Sequence, residues 1–331
     1  MVGIGEFRIT RLAPGAVLGG KYRVARWIGE GSMGAVYEAA TLDKGEQVAL
    51  KIMHARLLAD ARMRHRFERE GELGTRIPSS AVVQVLESGF DEQRGAYFIA
   101  MEYVKGRPLD DWRSSRMSEA AAVRSVVEQL LRAVAAAHSV GVVHRDLKPA
   151  NVMVVEDDIQ ERREPGAPRV KVLDFGVAKW LQSTTGGITQ AGLGTPSWTA
   201  PEQGQSGHRP APNADVWSLG LLVFWLLTGT QYWLAARDGG GLADLALELV
   251  RRPIAPASER AQALGVAELL PPSLDPWFAR CVCRQPEERF VDAGAALDAL
   301  GPILGLRARR SRWWNRWQRG LRRRGGGQIK R

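Results

Sequence analysis

Cysteine is scarce in this chain of 331 residues: there are two, Cys281 and Cys283, with one residue between them. That spacing is too short for an easy disulfide, and no further Cys or His cluster completes a zinc site. A disulfide scaffold and a zinc module are thereby excluded, and buried thiols in a reducing compartment are expected. Long apolar runs are missing too. The longest, Leu219 to Leu227, is interrupted by Gly220 and falls far short of the roughly 20 residues a membrane-spanning helix needs, so a buried core helix is expected there. The start of the chain lacks the charged, apolar and small-residue succession of a signal peptide, which leads to the expectation of a cytoplasmic location. Acidic residues are absent from Gly301 to Arg331, where eleven Lys and Arg fall. Residues 1–300 carry 35 basic against 36 acidic groups, so the formal net charge of +10 belongs to the tail. Treating the whole chain as a nucleic-acid binder on its charge would misplace the signal. There is no internal repeat, and 45% hydrophobic content fits a globular protein with a real core rather than a disordered or fibrous one.

What is present divides into two parts. Residues 21–104 read as short β segments around one helix: strands at Tyr22–Ile28, Ala35–Thr41 and Gln47–Met53, a helix over Ala61–Ile77, then strands at Val82–Ser88 and Tyr97–Tyr103. Beyond Lys105 the pattern turns helical. Ser118 stands before an Ala/Val/Leu-rich stretch from Glu119 to His138, predicting a capped amphipathic helix, and further helices are predicted at Asp215–Leu227, Leu242–Arg251 and Pro276–Cys283. Between the apolar runs Val152–Val155 and Val170–Leu173, the polar stretch Glu156–Pro168 predicts an exposed hairpin loop.

Gly29-Glu30-Gly31-Ser32-Met33-Gly34-Ala35-Val36 puts three glycines where two strands should turn, which lets backbone amides approach polyphosphate oxygens without a Cβ in the way. Alone the pattern is weak, since any Gly-rich hairpin has it. Val48-Ala49-Leu50-Lys51 follows, and a lysine at the end of an apolar strand is expensive to turn inward unless a phosphate or carboxylate meets it. Glu70, on the predicted helix, can supply that carboxylate, with Glu68 and Glu72 on other faces. Further on stand His144-Arg145-Asp146-Leu147-Lys148-Pro149-Ala150-Asn151 and Asp174-Phe175-Gly176.

With these motifs in this order, the chain resembles the eukaryotic-type (Hanks-type) protein kinases, bacterial Ser/Thr branch, from about Gly20 to Gly301. The resemblance implies an α+β bilobal fold, with a small β-rich N-lobe (20–104) and a larger helical C-lobe (105–301), preceded by a lead (1–19) and followed by a basic Trp/Arg-rich tail (302–331). It implies ATP and Mg2+ as cofactors and protein Ser/Thr hydroxyls as acceptors. Lys51 would hold the α and β phosphates, positioned by Glu70; Asn151 and Asp174 would bind magnesium; Asp146 would orient the acceptor hydroxyl; and Lys148 would contact the transferred phosphate. Ile28, Gly29, Gly31, Gly34 and Val36 would enclose the nucleotide, Met101 would be the gatekeeper, and backbone groups of Glu102 and Tyr103 would meet the adenine edge. Gly194-Thr195-Pro196-Ser197-Trp198-Thr199-Ala200-Pro201-Glu202 resembles the end of an activation segment but departs from the family at Trp198, where Tyr is usual, and at Thr199. Glu202 with Arg289 resembles a buried ion pair, and Asp215 would brace the catalytic loop.

Regulation is expected to involve autophosphorylation, with Thr189 first among the candidates and Thr184 and Thr185 next, between two copies of the chain. Gly71 and Gly74 should weaken the helix bearing Glu70, since each costs about 1 kcal/mol against Ala. In the tail, Leu306, Trp313, Trp314, Trp317 and Leu321 fall on one helical arc with arginines around the remainder, which suits an anionic membrane surface at its inner face. An acidic protein partner, nucleic acid or self-docking are the alternatives.

Overall fold

The computed structural model describes residues 12–31, 34–58, 60, 61, 64, 65, 67, 68, 75–115, 119–155, 168–175, 196–204, 211–237 and 241–306. Among these, a six-stranded antiparallel sheet forms the N-lobe in the order β1-β2-β3-β4-β6-β5, with β1 Val17–Leu18, β2 Tyr22–Glu30, β3 Gly34–Thr41, β4 Gln47–Met53, β5 Val85–Asp91 and β6 Ala96–Glu102. A small sheet, β7 (Arg107–Pro108), β8 (Val152–Val155) and β9 (Arg169–Val172), lies in the C-lobe. The C-lobe helices are α1 (Leu109–Ser115), α2 (Ala120–Ser139), α3 (Pro212–Thr228), α4 (Leu234–Arg237), α5 (Leu242–Val250), α6 (Ala257–Ala263), α7 (Asp275–Cys281) and α8 (Ala293–Leu304).

The apolar pattern explains the packing. In α2 the buried side chains Val123, Val126, Val127, Leu130, Leu131, Val134 and Ala137 recur at three- and four-residue steps, so one stripe faces the core while the other meets solvent. Helix α3 is apolar nearly all round and is buried nearly throughout, as its uninterrupted run predicts. Gly220 within it is demanded by packing: a Cβ there would stand 2.6 Å from the Cβ of Cys281 on α7. The buried Arg113 of α1 donates from Nε to the Leu226 carbonyl at 2.7 Å, giving a partner to an acceptor that the end of α3 leaves open.

Several expectations shift. The helix from Ala61 does not reach Ile77: residues 61, 64, 65, 67 and 68 are helical, but Thr75 and Arg76 form a turn, and Pro78 disfavours helical backbone at the residue before it. The strand read at Val82–Ser88 begins at Val85; Val82 instead makes an isolated parallel bridge to Val172. Helix α2 starts after Glu119, with no side-chain cap bond, and Ser118 lies outside the described residues. Only Cys281 is fully buried, whereas Cys283 is half-buried with its Sγ 3.0 Å from Glu288 Oε2. Helix α8 runs on past Gly301 to Leu304, and Leu306 packs against the C-lobe core. Leu306 therefore belongs to the folded body and not to the apolar arc of the tail. Helices α1 and α8 leave little trace in the pattern, the first because it is short and the second because Gly294, Gly301 and Pro302 break its helical appearance.

Candidate active site

Strand register builds one wall of the cleft. Gly29 pairs with Val36, Val36 with Lys51, Lys51 with Ile99, and Ala49 with Met101. Because side chains alternate along each strand, Val36, Ala49, Lys51, Ile99 and Met101 share one face. Gly34 has to be glycine here, since a Cβ would lie 2.1 Å from the Ile52 carbonyl oxygen of β4. Behind Met101 a small cavity is lined by Val83, Val85, Ile99, Val172, Asp174 and Phe175. The Glu102 N–H donates to Gln84 O at 2.9 Å and its carboxylate pairs with Lys171 on β9. Ile28 is exposed, and Tyr103 is half-buried just beyond β6.

The opposite wall comes from the β8–β9 hairpin. Val152 pairs with Val172, so the residues just before β8 and just after β9 emerge at the same end. Leu173 N–H donates to Asn151 O at 2.9 Å, which fixes Asn151 and Asp174 as near neighbours in the fold. The Asn151 amide donates from Nδ2 to the Asp146 carbonyl at 2.7 Å and to Asp146 Oδ2 at 3.0 Å, which orients the amide oxygen away from Asp146. Lys148 Nζ stands 2.8 Å from Asp146 Oδ2. Across the cleft, the buried Lys51 pairs with Asp174 Oδ1 at 3.1 Å. The sequence reasoning foresaw an acidic partner for Lys51; among the described residues that partner is Asp174, and Glu70 lies outside them.

The loop carrying Asp146 is held from beneath. Asp215, fully buried near the start of α3, accepts from the backbone N–H of His144 and of Arg145, each at 2.7 Å. His138, at the end of α2, was not singled out by sequence. Its Nε2 bonds Asp215 Oδ2 at 2.9 Å and its Nδ1 accepts from Ala293 N–H at 3.1 Å. Burial opposes the charge on Asp215, but hydrogen bonds from His138 and Arg145 and the nearby histidines outweigh it, so the carboxyl sits below its usual range. The buried His144 ring bonds Leu173 O through Nε2 at 2.9 Å and lies against Phe175 at 4.7 Å between centroids. Burial lowers its pKa despite the pull of Asp215, Asp146 and Asp174, which keeps it neutral. Arg145 and Asp174 have φ of +68° and +42°, in the left-handed region that non-glycine residues seldom occupy. Both strained positions sit in the motifs His144–Asn151 and Asp174–Gly176.

The end of the activation-like segment is anchored below. Glu202 and Arg289 form a buried two-pronged ion pair at 2.7 and 2.8 Å, as foreseen. Trp198 is buried edge-on against Trp225, and its carbonyl accepts from Ser218 Oγ at 2.7 Å. The indole thus packs into the core. Thr184, Thr185, Thr189 and Thr195, the helix glycines Gly71 and Gly74, and the tail from 307 lie outside the described residues.

Known proteins resemble the chain over most of its length. The protein kinase domain family matches residues 22–295. Serine/threonine-protein kinase pkn3 of Myxococcus xanthus is 36% identical over 287 residues, covering 85% of this chain and 49% of that protein. Serine/threonine-protein kinase PknJ of Mycobacterium tuberculosis is 36% identical over 300 residues, covering 88% of this chain and 47% of that one. The chain thus spans about half the length of these curated relatives. The crystal structure of the Mycobacterium tuberculosis PknI kinase domain superposes with a TM-score of 0.63 at 26% identity, covering 88% of this chain and 99% of that one.

Proposed function

The chain belongs to the protein kinase domain family, of the bacterial Hanks type with its bilobal fold, and from that membership we propose that it transfers the γ-phosphate of ATP to Ser or Thr hydroxyls of proteins. The observation that carries the reading is the convergence of Lys51, Asp174, Asn151, Asp146 and Lys148 on one cleft through the contacts given above. Phosphoryl transfer needs positioning and charge stabilisation more than covalent chemistry, and these residues supply both.

In this reading ATP lies under the Gly29–Val36 turn, between Ile28 and Val36, with its adenine edge at Glu102 and Tyr103 beside Met101. Lys51 meets its phosphates. The carboxylate of Asp174 and the amide oxygen of Asn151 are hard oxygen donors suited to magnesium, which needs few protein ligands when phosphates and water complete its shell. Bound there, the metal would neutralise charge on the phosphates. Asp146, held by Asn151 and by the backbone beneath it, orients the acceptor hydroxyl, while Lys148 faces the transferred group. Glu70 would brace Lys51 when the helix bearing it is seated.

We further propose a cytoplasmic kinase that phosphorylates its own activation segment between two copies, Thr189 first and Thr184 and Thr185 after it. The tail, starting after Leu306, would contact an anionic membrane surface in preference to an acidic protein or nucleic acid. No helix among the described residues is long and apolar enough to cross a membrane.

Incubation of the full chain with labelled ATP, Mg2+ and a Ser/Thr protein mixture tests the central claim. Transfer should drop by roughly a thousandfold or more in Asp146→Asn, and mass spectrometry should find phosphate on Thr189 in the wild type but not in the variant. A wild type that binds ATP yet transfers nothing would make this a binding scaffold with a kinase fold.

A further inference from the structure

Gln203, which immediately follows Glu202 in the 3-10 turn Pro201–Gly204, joins two backbones that are far apart in sequence. Its Oε1 accepts from Ala200 N–H at 3.1 Å, and its Nε2 donates to the Arg145 carbonyl at 2.8 Å. The second bond bears on chemistry because the Arg145 carbonyl and the Asp146 N–H belong to one rigid peptide plane. That plane is held at its other edge, where the Asp146 N–H donates to His144 Nδ1 at 3.3 Å. The two planes before it are fixed by Asp215. A left-handed arginine at φ +68° is unfavourable on its own, so outside bonds must hold the turn that aims Asp146.

The other end of Gln203 leads to the substrate side. Ala200 is two residues from Trp198, which is locked by Ser218 and Trp225. Glu202 beside it is locked by Arg289. A single side chain thus connects the anchored end of the activation-like segment to the peptide plane of Asp146.

We propose that Gln203 is a positioning residue that makes the aim of Asp146 depend on the seating of that segment. This rests on the kinase reading. A segment pulled out of place would draw Gln203 from the Arg145 carbonyl and release the strained turn, so that ATP still binds while transfer slows.

The test uses steady-state kinetics of the full chain with a Ser/Thr peptide, comparing wild type, Gln203→Glu and Gln203→Met, alongside melting temperatures. Glutamate retains the acceptor for Ala200 but sets an oxygen against the Arg145 carbonyl; methionine retains the bulk and neither bond. Both should lower kcat about tenfold, the scale of one well-placed hydrogen bond, and leave KM for ATP within about twofold. A Gln203→Glu enzyme with wild-type kcat overturns the proposal, as does a loss of kcat that disappears on cooling below each variant's melting transition. A wild type without peptide transfer would instead overturn the kinase reading, and this inference with it.

Discussion

Burial and hydrogen bonding set the behaviour of single residues around the loop that carries Asp146. His144 has its pKa held below the ordinary 6.5 by burial, so between those two values the unfolded chain binds the proton that the folded one refuses. Folded stability is then full above about pH 6.5 and declines as the pH falls, by at most about 1.4 kcal/mol per pH unit from this group. Asp215 adds the same sign lower down: its carboxyl is depressed from 3.8, so its contribution is present above that value and lost in stronger acid. Melting temperature should therefore fall from pH 7 to pH 5, with a shallower slope in His144→Gln; equal slopes in the two proteins would remove His144 as the cause. The Glu202–Arg289 pair makes the complementary point about charge. Each partner is tolerated in the core because the other meets it with paired hydrogen bonds.

Among the elements, α3 explains why a glycine can be indispensable inside a helix. Gly220→Ala should gain about 1 kcal/mol of helix propensity. It also drives a Cβ to 2.6 Å from the Cβ of Cys281, part of a rigid helix and not a yielding side-chain tip. Overpacking of this kind costs about 1–3 kcal/mol, so net destabilisation is expected. A urea unfolding midpoint at or above the wild type's would contradict the close approach of α3 and α7. The β8–β9 hairpin shows the same dependence of function on element geometry. Its register, Val152 opposite Val172, brings Asn151 and Asp174 to one end, and a slip by one residue would turn the flanking side chains to the wrong faces.

For the molecule as a whole, charge is divided between a nearly neutral body and a basic tail. A chain ending at Leu306 should keep peptide transfer but lose sedimentation with anionic vesicles, while the full chain sediments and is released by salt. Equal sedimentation of both would remove the tail from membrane contact, and release by DNA at low salt would favour nucleic acid. The sequence by itself determined the bilobal division and most strand and helix positions, and it singled out Lys51, Asp146, Lys148, Asn151 and Asp174, which the structure brings together in one cleft. It could do so because period-two and helical patterns report which side chains must be buried, and because phosphate chemistry demands particular groups at fixed spacing. Only the tertiary structure decided that Lys51 meets Asp174, that His138 links α2, α8 and Asp215, and that Gln203 grips the Arg145 carbonyl. Those contacts join residues distant in sequence through side chains of ordinary type, so no local pattern announces them. They exist because packing brings the chain's separate turns within hydrogen-bond reach.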